Sequence, residues 1–138
     1  MKVDTQVKLQ FHSVDFKSVD FKSNQPIHGR DNEVSIHIVP KVFYPKDEEN
    51  HFKIIQEITI KSSEFFTLSI LAVGNFELLG EVNDETRSSF VNVNAPAIMF
   101  PYIRSFISTL TSNLGNVTGA LTIPPQFFKG ILEEVIEE

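Results

Sequence analysis

Near Asn83 the apolar residues of this chain change their spacing from alternate positions to every third or fourth. No other feature limits the fold as much. A period of two marks a strand with one buried face, and a period of roughly 3.6 marks an amphipathic helix. Strands therefore come first and helices after. That is the order of an α+β domain whose helices lie on an antiparallel sheet. Prolines mark the change: Pro96 and Pro101 stand at the head of one helical run, and Pro124-Pro125 precede another.

Four strands are expected in the first part. Val7, Leu9 and Phe11 alternate with polar residues, and then the phase breaks at a tandem copy, Ser13-Val14-Asp15-Phe16-Lys17 and Ser18-Val19-Asp20-Phe21-Lys22. A five-residue period turns equivalent residues to opposite faces of a regular strand. A bulge near Ser13 and another near Lys17 or Ser18 would restore the face, giving a long interrupted strand at a sheet edge. Residues 23–32 read as a loop. Val34, Ile36 and Ile38 start a second strand that runs towards Tyr44 past an edge-type Pro40. After the charged turn 45–50, residues 52–61 form a third strand and 65–73 a fourth, buried on more than one side. Short polar turns favour an antiparallel meander or a close relative.

Two or three helices should follow. Asn83 or Asp84 can cap a short one containing Phe90 and Val91, and Asn94 can cap a longer one with Pro96 in its first turn. Pro101 lies deeper, so the regular helix begins near Phe100 or bends there. Ile103, Phe106, Ile107, Leu110 and Leu114 make its apolar stripe. Ser105, Ser108, Thr109 and Ser112 make a strip of small polar side chains that either admits a second helix or is a plain solvated face. Gly115 stops the helix. A last helix is expected after Pro124-Pro125, carrying Phe127, Phe128, Ile131, Leu132, Val135 and Ile136.

The 138 residues suit a single domain, 1–138, able to bury roughly two-thirds of its unfolded surface. With 13 Phe but no Trp and only 2 Tyr, the chain has much aromatic surface free of polar atoms to pack. A net charge of −6 and no basic run argue against a nucleic-acid backbone or an anionic membrane as partner. The absence of cysteine excludes disulfides and thiolate chemistry and fits a reducing cytoplasm. No stretch is apolar enough for a membrane span, and the polar N-terminus lacks a signal-peptide core. His12, His28, His37 and His51 have no zinc-type spacing, and the glycines build neither a Walker loop nor a dinucleotide fingerprint. Neither an enzyme, a cofactor nor a metal site is expected.

The segment Ile98-Met99-Phe100-Pro101-Tyr102, with Arg104, opens the first long helix, and Leu121-Thr122-Ile123-Pro124-Pro125-Gln126-Phe127 leads to the last. In these residues, and in the order of its elements, the chain resembles the bacterial SecB export chaperones. The resemblance implies a cytoplasmic homotetramer, a dimer of dimers with its long helices packed between two sheets. The strip Ser105, Ser108, Thr109 and Ser112 would be the oligomer seam. It implies an ATP-independent holdase that takes unfolded polypeptides or preproteins into a hydrophobic groove for export. Candidate groove residues are Phe65, Phe66, Leu68, Phe76, Phe127, Phe128 and Ile131, although core burial is the plainer reading of any single one.

The chain departs from the family pattern where the SecA motor docks. Residues 67–71 carry no acidic side chain, residues 23–32 carry no tryptophan, and the sequence closes on Glu137-Glu138 without a motor-binding tail. Asp15 and Asp20 could supply an acidic sheet face or be plain solvated residues. SecA is therefore left open as a partner. Two further readings stand beside the generic holdase: a SecB-like chaperone dedicated to one partner such as an antitoxin, and a structural oligomer that binds no client.

Overall fold

The structure, a computed structural model, describes residues 8–24, 33–62, 65–126 and 128–136. Val7, most of the 23–32 loop, Ser63, Glu64, Phe127 and the last two glutamates lie outside the described residues. Five strands, β1 (Lys8–Ser23), β2 (Ser35–Phe43), β3 (His51–Ser62), β4 (Phe66–Leu79) and β5 (Glu133–Val135), form one sheet in the order β1-β4-β3-β2-β5. β2, β3 and β4 make an antiparallel meander. β1 pairs on the free side of β4, which makes it the edge strand that the sequence predicts.

Both expected bulges are present. The register of β1 against β4 slips between Phe11 and Ser13 and again between Phe16 and Ser18, so His12 and Lys17 are the extra residues. The consequence follows from strand geometry. Phe11, Val14, Phe16, Val19 and Phe21 lie opposite Phe76, Gly74, Ala72, Ile70 and Leu68, which are all even-numbered and hence on one face of β4. Two insertions thus turn an out-of-phase repeat into one continuous apolar face.

That face is roofed by a helical run of three parts: α1 (Asp84–Ser89), a π-helical turn (Phe90–Asn94) and α2 (Ala95–Ser112). Asn83 caps α1 as expected, its Oδ1 accepting the Thr86 N–H at 2.8 Å. Asn94 is not a second cap. It is helical and its side chain caps nothing, so the run is continuous. The Ala95 N–H reaches back to the Phe90 carbonyl, and this widened turn comes just before Pro96, which has no N–H to give. Pro101 also stays inside α2 rather than starting it. Both it and Ala97, whose carbonyl Pro101 cannot satisfy, are exposed, so water can serve that carbonyl.

Beneath α2, the fully enclosed side chains include Phe52, Ile54, Ile58, Ile60, Phe66, Leu68, Phe76, Met99, Ile103 and Ile107. Phe11, Phe76 and Phe52 form a run of rings with successive centroids 5.4 Å apart. Phe16 stacks on Phe106 at 4.2 Å and Phe11 meets Tyr102 at 5.0 Å, tying the edge strand to α2. β4 runs past its expected end at Val73 to Leu79 because Gly74 lets the helix come close: a Cβ there would lie 2.8 Å from the Met99 sulfur.

The chain after α2 corrects the sequence reading. α2 ends at Ser112, and Gly115 turns the backbone at φ +67. No helix follows among the described residues. The segment runs extended, and Glu133–Val135 joins the sheet as β5, parallel to Lys41–Phe43 of β2. The helical spacing of Phe128, Ile131, Leu132, Val135 and Ile136 is therefore not realised as a helix. Pro124 and Pro125 push the residues before them towards extended backbone, a short isolated helix is marginal, and the acidic end opposes its dipole. Pairing with β2 holds residues 133–135 in the sheet instead.

Candidate functional site

The extended C-terminal segment lies along the helical run, antiparallel to it, and is held at four successive points. Thr111 is wholly buried; its hydroxyl donates to the Ile107 carbonyl at 2.7 Å and accepts the Leu121 N–H at 2.9 Å. The Arg104 Nε donates to the Ile123 carbonyl at 2.8 Å. The Phe128 ring sits edge-on to Phe100 at 5.9 Å. Finally, the Asn92 Oδ1 accepts the Leu132 N–H at 2.8 Å, while its Nδ2 donates to the Ser88 carbonyl at 2.9 Å. The π-helical turn thus aims a nearly buried amide at the segment, as such turns often do at working positions.

Three of these four contacts go to backbone atoms, so they fix an extended chain without reading its side chains. Ile123 and Leu132 point inward and are buried, whereas Ile131 is 88% and Ile136 83% exposed. The seam between α2 and the β2 edge therefore holds this segment of the chain with Ile123 and Leu132 inserted. Tyr44 closes its far end. Burial pushes its phenol pKa up, the nearby Arg87 guanidinium opposes this, and that guanidinium lies 5.9 Å over the ring.

The expected groove residues do not form one open surface. Phe66, Leu68 and Phe76 are core residues under α2, so they cannot touch a client in this conformation. Phe65 is half-buried beside Phe66, at the opposite end of β4 from Phe76. Phe128 and Ile131 lie on the C-terminal segment itself, and Phe127 lies outside the described residues. On α2, Ser105, Thr109 and Ser112 are exposed and Ser108 is half-buried; Ser105 and Ser108 line a 270 Å³ cleft with Pro101, Arg104, Thr122 and Ile123. Asp15 accepts the Asn75 amide at 3.0 Å on the sheet face away from α2, where Asp20 is also exposed. No helix among the described residues is long and apolar enough to cross a membrane.

Comparison with known proteins agrees with this architecture. The SecB-like chaperone Rv1957 of Mycobacterium tuberculosis, solved in complex with a peptide from the HigA1 antitoxin, superposes with a TM-score of 0.66. That match covers 86% of this chain and 87% of that one at 14% identity, a likeness of fold. An uncharacterized protein of Methanocaldococcus jannaschii is 32% identical over 147 residues, spanning 100% of this chain and 93% of its own length. The protein-export protein SecB of Orientia tsutsugamushi is 28% identical over 72 residues, or 49% of this chain and 44% of that protein. Residues 4–134 match the family described as preprotein translocase subunit SecB. With that match over nearly its whole length, the chain belongs to the SecB family.

Proposed function

We propose that this chain is an ATP-independent chaperone that holds extended, apolar polypeptide segments along the seam between α2 and the β2 edge. One observation carries the reading: the seam already holds an extended peptide, residues 121–126 and 128–135 of the chain itself, through backbone contacts from Thr111, Arg104 and Asn92 and strand pairing to β2. A client that displaces part of this segment finds the same donors and acceptors and the same inward pockets. Membership of the SecB family and the peptide-bound fold neighbour support the reading. No catalytic step is needed, because a protein that binds unfolded chains delays folding by mass action.

In this proposal Phe128 and Ile131 give way first, and Phe65 lies on the rim. Phe66, Leu68 and Phe76 meet a client only if α2 lifts from the sheet. Clients are unfolded polypeptides or preproteins in the cytoplasm, and the net charge of −6 favours basic ones. Export through the SecA motor has less support than holding, since Thr67–Leu71 offers no carboxylate.

The test is the refolding of a slow-folding, denatured client with and without the protein, in the absence of nucleotide. Retarded refolding that grows with protein concentration is expected. Unchanged refolding at excess protein overturns the proposal and favours a structural oligomer. Retardation of one antitoxin-type partner alone would assign a dedicated role.

A further inference from the structure

Three residues far apart in sequence meet on the sheet. Glu77 of β4 stands between β1 and β3. His51, the first residue of β3, is its direct cross-strand neighbour, and Gln10 of β1 faces it on the other side. His12, the extra residue of the first bulge, is displaced from the regular ladder towards the same carboxylate. The His12 Nε2 lies 3.1 Å from the Glu77 Oε1, and the His51 Nε2 lies 3.5 Å from that same oxygen. The two imidazoles are stacked, 6.2 Å between centroids and 13° from parallel. One ligand atom from each of the three residues falls within 4.8 Å of the others.

The second nitrogen of His51 makes this arrangement informative. Its Nδ1 lies 3.0 Å from the Glu49 carbonyl, which can only accept, so Nδ1 carries the proton. That leaves Nε2 facing the Glu77 carboxylate oxygen. The 3.5 Å separation of Nε2 from that oxygen suits a positive species shared between them, either a ring proton or a metal ion. A backbone carbonyl holding the far nitrogen of a histidine is also how ligating imidazoles are oriented. The turn that carries Glu49 is itself fixed: Asn50 has φ +63, and its carbonyl accepts the Leu78 N–H at 2.7 Å.

We propose that His12, His51 and Glu77 form a site for a divalent transition-metal ion of the zinc class. Two imidazole nitrogens and one carboxylate oxygen suit such borderline ions, whereas Mg²⁺ and Ca²⁺ prefer all-oxygen shells. Tetrahedral bonds of about 2.0–2.1 Å put neighbouring ligand atoms about 3.3 Å apart, close to the two measured separations. The side chains of His12, His51 and Glu77 are 40%, 36% and 26% exposed, so a hydrated ion can reach them and keep water in its remaining positions. A bound ion would clamp β1 and β3 onto β4 at one end of the sheet. It also gives the first bulge a purpose, since bulges commonly re-aim a side chain.

The test is calorimetric titration of the full chain with Zn²⁺ in chelator-free buffer, joined to ring-nitrogen NMR of the histidines. One ion per chain is expected, with the Nε2 signals of His12 and His51 shifting and those of His37 unmoved. His12→Gln, His51→Gln and Glu77→Gln should each weaken binding by about tenfold or more, and His37→Gln should leave it unchanged. The proposal is overturned if the folded chain takes up no Zn²⁺, or if the double variant H12Q/H51Q binds as tightly as the parent. Should a variant fail to fold, the NMR shifts of the unaltered protein decide the question alone.

Discussion

Gly74 shows how one missing methyl group sets the distance between helix and sheet. A Cβ at this position would stand 2.8 Å from both the Met99 Sδ and the Phe76 Cε2. Met99 is fully enclosed, and Phe76 is held between the rings of Phe11 and Phe52, so neither has room to withdraw. Gly74→Ala should therefore lower the unfolding free energy by about 1–3 kcal/mol, the usual cost of overpacking. Met99→Ala should cost about 2–5 kcal/mol through the cavity it leaves. Urea denaturation of both variants and their combination checks the contact: the double change should cost less than the sum. Strict additivity would show that the two sites do not touch. At this scale the sequence was partly readable. The five-residue repeat alone implied two bulges, because a face must be conserved. Nothing in the spacing of Gly74 showed that β4 would continue through it, since the reason is a sulfur atom 25 positions away on another element. The meeting of His12, His51 and Glu77 was hidden for the same reason, being a product of strand order and not of local spacing.

Among the elements, the C-terminal segment had two local fates. Its apolar spacing suited a helix, while its prolines and acidic end weakened one, and the contacts that decided the outcome are long-range. Asn92 and Thr111 give their side chains to Leu132 and Leu121 across 40 and 10 residues, and β2 offers a free edge at Lys41–Phe43. These three features carry no signature in residues 124–136. By contrast, β1 to β3 and the capped start of α1 were legible, because alternation and an Asn N-cap are local properties. If side chains on the helical run hold the segment, removing them should loosen it without melting the sheet. Asn92→Ala should speed hydrogen exchange at the Leu132 amide, and Thr111→Val at Leu121. Each loss should lower local opening free energy by about 1–3 kcal/mol, the cost of orphaning a buried donor. Exchange at Ile58 and Ile70, in the middle of the sheet, should stay as in the parent. Equal acceleration at all of these amides would mean that the segment unfolds only with the core, and would count against displacement by a client.

For the whole molecule, the outer face of α2 is the feature that a single chain leaves unexplained. Ile98, Tyr102, Ser105, Thr109 and Ser112 are all exposed, and their steps of four and three residues draw one straight seam along the helix. Small side chains in the second half of that seam allow another helix to approach closely. Covering them would strand few polar groups, since the Ser112 hydroxyl already donates to the Ser108 carbonyl at 2.6 Å. Ser108 is half-buried, in a cleft with Thr122 and Ile123 that Ser105 also borders, so the exposed seam differs by one residue from the strip read in the sequence. We therefore expect copies of this chain to assemble through α2, consistent with a dimer of dimers. Because every copy carries a net charge of −6, added salt should strengthen that assembly by screening repulsion between copies. Light scattering after size exclusion at micromolar concentration should give a mass of several chains. The paired change Ser105→Glu and Thr109→Glu should reduce it, because it would bury carboxylates without partners, at a cost of several kcal/mol. Circular dichroism should remain that of the parent, as both positions face away from the sheet. A parent protein that is monomeric under these conditions would refute the seam. A glutamate pair that leaves the mass unchanged would move the interface elsewhere, with the β1 edge as the next surface to alter.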